Sequence, residues 1–198
     1  MGRPKLKPGE PQTTALLLAA GEREFARAGF HGARLEDIAA RAGIRRPSLL
    51  HHFPTKRALY EAVVRATFQS LGSALGAAMM TPGDLTERIS KVTQAFSDFL
   101  EKRPALAAII LREFLDGHGP DKNIFLRQAV PVLRQVESFL SSSSRELRPG
   151  LPVRAAVLQV TAGVLLRASA GELRRHLWGK GDHAGLLAAL LISRRAGS

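Results

Sequence analysis

Apolar residues recur three and four apart along most of the chain, and the recurrence breaks at glycines and prolines. Over residues 35–42 the stripe is Leu35, Ile38, Ala39 and Ala42. Gly43 follows, able to take the positive φ that turns a chain at a helix end. Ile44 fills the corner, and a second short helix is predicted through Leu49 to Phe53. Two short helices with glycine at the bend make a helix-turn-helix, whose second helix fits the major groove of DNA. Ahead of this pair, Leu17, Ala20 and Phe25 give an inner face to a first helix, capped by Thr13 or Thr14 and stopped at Gly29. The three helices together have enough apolar surface for a small core. Pro54 then ends the second helix of the pair, and Thr55 caps a fourth helix carrying Leu59, Val63, Ala66 and Leu71. Thr81, Pro82 and Gly83 close the region.

From Asp84 onward the pattern predicts helices throughout. Asp84 and Glu87 have capping-box spacing for a helix with Leu85, Ile89, Val92, Phe96 and Phe99 on its inner side. Pro104 suits the first turn of the next helix, which Gly117 and Gly119 end. A long helix over 125–147 contains Pro131, so a kink or break is expected near residue 130, and Ser141, Ser142, Ser143 and Ser144 weaken its end. The last two helices are predicted over 154–177 and 182–195. Both are apolar around much of their circumference, and Ala155, Ala156, Ala162 and Gly163 permit close helix approach. Such a helix lies either deep in a core or in a subunit interface, and at the end of a small domain the interface is favoured. No segment alternates as a strand does. The expected class is all-α: a basic arm over 1–12, an N-terminal three-helix helix-turn-helix DNA-binding domain over 13–75, and a larger helical C-terminal ligand-binding and dimerisation domain over 84–198.

Charge sharpens this picture. The 198 residues carry a formal +12, and residues 1–65 hold 12 Lys and Arg against 6 Asp and Glu. Residues 66–198 hold 17 against 11, so the front third has about twice the positive charge density. That suits a polyanionic partner at the front, although a generally Arg- and Ala-rich composition would also raise it. With no cysteine, thiolate catalysis, disulfides and Cys-based zinc sites are excluded. His31, His118, His176 and His183 have no metal-ligand spacing, and neither a Walker loop nor a Gly-x-Ser-x-Gly elbow occurs. No cofactor is therefore expected. No apolar run reaches the ~20 residues that cross a bilayer, and the first residues lack a signal-peptide pattern. The expectation is a cytoplasmic protein with no membrane partner.

Candidate chemistry gathers on the second helix of the pair. Arg45, Arg46, Ser48, His51 and His52 can all donate hydrogen bonds. A guanidinium can take both acceptors on a guanine edge, so Arg45 and Arg46 are the candidates for reading sequence, with phosphate contact the equal alternative. Lys56 sits in the first turn of its helix, against the dipole, and a phosphate at that helix start beside Thr55 would account for it. For a small apolar effector the candidates are Phe96, Phe99, Leu100, Arg112, Phe114, Phe125 and Phe139. Phenylalanine at helical spacing is more often plain core, but across several helices these could line one cavity.

Residues 16–63 resemble the N-terminal domain of the TetR family of transcriptional regulators. The matching positions are Ala19-Ala20, Phe25, Gly29-Phe30, Ile38-Ala39, Ala42-Gly43-Ile44, Leu49, His52-Phe53, Lys56, Leu59 and Ala62-Val63, in order and without a gap. The resemblance implies a homodimer, joined here through the last two helices, that binds a palindromic site on double-stranded DNA. It also implies a repressor released by a small-molecule effector. It puts Arg45, Arg46, Pro47, Ser48 and His51 at the groove-facing start of the recognition helix, and His52 and Lys56 at phosphate-contacting positions. Four departures stand out. Ala33 and Arg34 replace a Thr/Ser pair that caps the second helix and touches phosphate, a contact Arg34 can replace by charge. Arg45 replaces a capping Ser, Leu50 a Tyr that reaches the DNA backbone, and Glu24 an apolar residue of the first helix. The competing reading is a helical ligand carrier or enzyme with an incidental basic surface.

Overall fold

The computed structural model describes residues 11–116, 122–143 and 146–179, leaving aside the side chains of 114–116 and 122. Most of the expected arm, Gly117 and Gly119, the helix expected over 182–195, and the Phe114 side chain lie outside the described residues. Within them the chain is built from helices: α1 (Pro11–Gly32), α2 (Leu35–Ala42), α3 (Arg46–His52), α4 (Lys56–Met79), α5 (Leu85–Lys102), α6 (Pro104–Asp116), α7 (Lys122–Ser141), α8 (Val153–Ser169) and α9 (Leu173–Trp178). They form two compact units. The first comprises residues 1–68 and 108–128, the second residues 69–107 and 129–198, so α4, α6 and α7 each contribute to both.

In the first unit α1 begins at Pro11, whose missing N–H and fixed φ suit a first turn. Thr13 does not cap it, contrary to expectation. Its side chain is buried within the first turn, and its hydroxyl finds no hydrogen-bond partner. Gly29 breaks the helix with φ 69° and ψ 177°, and the short turn beyond it ends at Gly32. The core is Leu17, Ala20 and Phe25 from α1, Ile38, Ala39 and Ala42 from α2, Leu49 from α3, and Leu59, Tyr60, Val63 and Val64 from α4. A Cβ at Gly21 would come within 3.1 Å of Val63, so glycine there lets α1 and α4 pack closely. Phe25, Phe30 and Tyr60 form an aromatic cluster, with Phe25 edge-on to Tyr60 at 5.0 Å. The Tyr60 hydroxyl donates to the Glu113 carboxylate of α6. Burial first, and then that bond and the neighbouring negative charge, push the phenol above its ordinary pKa.

In the second unit the capping box forms as its spacing predicts. The Asp84 carboxylate accepts from the Glu87 amide at 2.9 Å, and the Glu87 carboxylate accepts from the Asp84 amide at 3.2 Å. Leu85, Ile89, Val92, Phe96 and Leu100 of α5 are buried, α5 packs on α8, and Val157, Val164 and Leu165 of α8 are buried as well. Arg88 donates twice to the Met79 carbonyl at the end of α4 and lies over the Phe139 ring. α7 passes through Pro131 as one helix and ends at Ser141, where the serine run begins. The single helix expected over 154–177 is instead two. Ala170 closes α8, Gly171 adopts φ 54°, and α9 starts at Leu173. A glycine at positive φ cannot continue a right-handed helix, which explains the correction.

Candidate nucleic-acid interface

The turn between α2 and α3 is set by one residue. Gly43 adopts φ 75° and ψ 24°, and its amide donates to the Ala40 carbonyl while the Ile44 amide donates to Ala39. This paired closure is the Schellman arrangement, and it fixes where α3 starts. Arg34 and Arg45 occupy the N-cap positions of α2 and α3 in extended conformation, and neither side chain caps its helix. Two acids, Glu36 and Asp37, sit in the first turn of α2 and favour its dipole in the absence of a cap. Pro47 lies at the start of α3, and Leu49 is fully buried beneath it.

Above Leu49, α3 turns Arg45, Arg46, Pro47 and His51 to solvent, with Ser48 and His52 half-buried. The two histidine rings meet edge-on at 6.0 Å. Arg46 forms an ion pair with Glu36, its Nε 3.0 Å from a carboxylate oxygen, a contact that spacing along the chain does not show. Thr55 caps α4 as expected, its hydroxyl accepting from the Ala58 amide at 3.0 Å. Lys56 has a further role. Its ammonium donates to the His31 and Ala33 carbonyls, each at 3.0 Å, and lies 4.8 Å from the centre of the Phe30 ring. It therefore fastens the α1–α2 connection to the start of α4 with two of its three N–H bonds.

Glu24, noted in the sequence as an acid among apolar residues, is buried and held by arginines on two helices. It accepts from Arg27 Nε at 3.2 Å and Nη2 at 2.6 Å, and Arg41 of α2 approaches to 3.7 Å. The hydrogen bonds from Arg27 hold its carboxyl below the ordinary range, against the opposing effect of burial. From α6, Arg112 donates to the Ala26 and Arg27 carbonyls. α2 and α4 are thus pinned to α1 by polar contacts around an apolar core.

The residues predicted to line an effector cavity are divided between the units. Arg112 and Phe125 belong to the first, where Phe125 meets Phe68 edge-on at 5.3 Å. Phe96, Phe99, Leu100 and Phe139 belong to the second. There Phe96 and Leu100 are buried, and Arg103 lies over Phe99 at 5.3 Å. No group of three or more metal-binding side chains occurs among the described residues. No described helix is long and apolar enough to cross a membrane.

The profile of bacterial regulatory proteins of the tetR family matches residues 17–63, the stretch that builds α1 to the first part of α4. The nucleoid occlusion factor SlmA of Vibrio vulnificus is 30% identical over 144 residues, covering 70% of this chain and 69% of that protein. The chain belongs to the TetR family. That membership places it among regulators and sets aside the enzyme reading. A second relative, the HTH-type transcriptional activator FasR of Mycolicibacterium smegmatis, is 37% identical over 94 residues. The match takes in 48% of this chain and spans 42% of the length of FasR. Among solved structures, the transcriptional regulator FadR from Bacillus subtilis in complex with stearoyl-CoA superposes with a TM-score of 0.72 at 15% identity. That superposition covers 90% of this chain and 97% of FadR, a likeness of fold.

Proposed function

We propose that this TetR-family chain is a homodimeric, sequence-specific repressor that occupies a palindromic site on double-stranded DNA and is released by a small apolar effector. The observation that carries this reading is the outer face of α3. Arg45, Arg46 and His51 stand exposed on a short helix whose start is fixed by Gly43 and whose underside is anchored by Leu49. Donors on a rigid helix of this kind suit base edges, and Arg34, Pro47, Ser48, His52 and Thr55 surround them with further polar or close-packing contacts. Lys56 has one N–H left for a phosphate beside the α4 helix start, and its two carbonyl contacts hold it there.

In this reading residues 13–75 bind DNA, residues 84–198 bind effector and dimerise, and the arm over 1–12 follows phosphates or the minor groove. Dimerisation is supported by α8 and α9, which expose Leu158, Leu166, Leu173 and Leu177. On α8 the small residues Ala162 and Gly163 are also exposed beside Leu166. A two-fold pair would set two recognition helices one DNA turn apart, ~34 Å. The stearoyl-CoA held by FadR supports an apolar effector, for which Phe96, Phe99, Leu100 and Phe139 remain the second unit's candidates. Release follows when the effector binds one dimer arrangement better than the other. The FasR relative is an activator by name, so a bound site upstream of the promoter rather than across it is the second reading.

Sequencing of the DNA recovered with the full-length protein from cross-linked cells tests the proposal. The expected result is one inverted repeat with half-site centres about 10 bp apart, overlapping promoters. Recovery of unrelated duplexes in proportion to their abundance contradicts it.

A further inference from the structure

We infer that Glu36 is a positioning residue for base reading: it holds Arg46 by Nε, so that the two terminal nitrogens of the guanidinium face outward as a fork. This deepens the DNA-reading role proposed for α3. Arg46 stands in the first turn of α3 and Glu36 in the first turn of α2, and the Nε–Oε1 distance is 3.0 Å. Both side chains are about half exposed, 54% and 50%.

An arginine has two edges that can grip an acceptor pair, one using Nε with a terminal nitrogen and one using both terminal nitrogens. The Glu36 carboxylate oxygen, 3.0 Å from Nε, lies against the first edge and covers it. The second remains, with the spacing that matches O6 and N7 of guanine. A long side chain on the surface otherwise loses rotamer freedom when it binds, and a partner that already fixes its direction lowers that cost.

The same carboxylate also opposes indiscriminate binding. A negative charge beside the recognition helix repels phosphates whatever the sequence, while its orienting effect operates where a guanine is present. Glu36 therefore weakens binding to all duplexes and improves the choice between them, the signature of a specificity device rather than of an affinity contact. Its other role, favouring the uncapped α2 start, is shared with Asp37 one residue along. Asp37 is thus the control for a purely structural effect.

The test uses full-length protein and two duplexes: one selected from a randomised pool by the unaltered protein, and one with its Arg46-dependent guanine changed. Affinities come from fluorescence anisotropy at fixed salt. Arg46→Ala is expected to reduce the preference for the selected duplex by about fivefold or more. Glu36→Ala is expected to reduce it by about two- to fivefold, the range of an exposed ion pair, while tightening binding to the changed duplex. Glu36→Gln, which keeps an acceptor and loses the charge, is expected to retain more of the preference than Glu36→Ala and still bind the changed duplex more tightly. Asp37→Asn is expected to leave the preference where it was. An unchanged preference in Glu36→Ala, with the Arg46→Ala loss intact, overturns the positioning role alone. No guanine dependence in Arg46→Ala overturns base reading by Arg46 and the inference with it.

Discussion

In the first unit the exposed face of α3 carries Arg45, Arg46 and His51, whereas in the second the exposed faces of α8 and α9 carry Leu158, Leu166, Leu173 and Leu177. Both faces are small. They differ in the partner that water leaves room for. Guanidinium groups are well solvated alone and gain from an ordered polyanion, since binding releases condensed counterions. Leucines in a row gain from any apolar cover, and an identical face on a second chain supplies it by symmetry. The inner fastening is alike. In the first unit Lys56 and Arg112 grip backbone carbonyls, and Arg27 and Arg41 hold the buried Glu24. In the second Arg88 grips the Met79 carbonyl, and Arg167 of α8 meets Ser97 and Glu101 of α5, beside the buried Val157, Val164 and Leu165. The difference between the units thus lies in their exposed faces, cationic on α3 and apolar on α8 and α9.

The contrast breaks most completely if α8 is charged. Replacing Leu158 and Leu166 together by Glu should leave a folded chain that sediments as a monomer. Its affinity for a palindromic duplex should fall by about a hundredfold or more, because two linked heads bind far better than one. Next in size is Leu49→Ala, which removes the anchor under α3. Calorimetry should show about 2–5 kcal/mol of lost stability, with DNA binding restored on cooling if the helix re-forms. Lys56→Met sharpens the comparison by separating fastening from phosphate contact. The lost bonds to the His31 and Ala33 carbonyls should cost about 1–3 kcal/mol in denaturant unfolding. Binding should weaken for all duplexes alike, with the salt slope reduced by about one.

Smallest is a pH effect confined to the first unit. Glu24 has a folded-state pKa below its ordinary 4.5, so its contribution to stability is present above that value and lost as pH falls through the depressed one. Melting temperatures measured from pH 6 downward should drop below about pH 4.5, and less steeply in Glu24→Gln than in the unaltered chain. A parallel pair of curves would remove Glu24 from the fastening of α1 to α2.

Sequence carried the parts of this structure that are decided locally. Gly43, the stripe of Ile38, Ala39 and Ala42, and the Asp84–Glu87 box each work within one helical turn, and each was legible from spacing. What spacing does not encode is contact between residues distant in the chain. Lys56 is 25 positions from His31, and Arg112 is 86 from Ala26. Lys56 could be recognised as misplaced against its own helix dipole, but the carbonyls that hold it could not be foreseen. Glu24 stood out as an acid on an apolar face, whereas its partner Arg41 belongs to another helix. Thr13 looked like a cap because Thr is a favoured cap residue, and Pro11 took the helix start instead. The Ala170–Gly171 pair was a local signal for the α8–α9 break, masked by an apolar pattern that continues on both sides.

Anisotropy of a labelled duplex bearing the selected inverted repeat, titrated with full-length protein at several salt concentrations, tests the central claim most directly. Two chains per duplex and a log–log salt slope of about −5 or steeper are predicted, the slope expected for about six neutralised phosphates. One chain per duplex, a flat slope, or equal affinity for a scrambled duplex would contradict it.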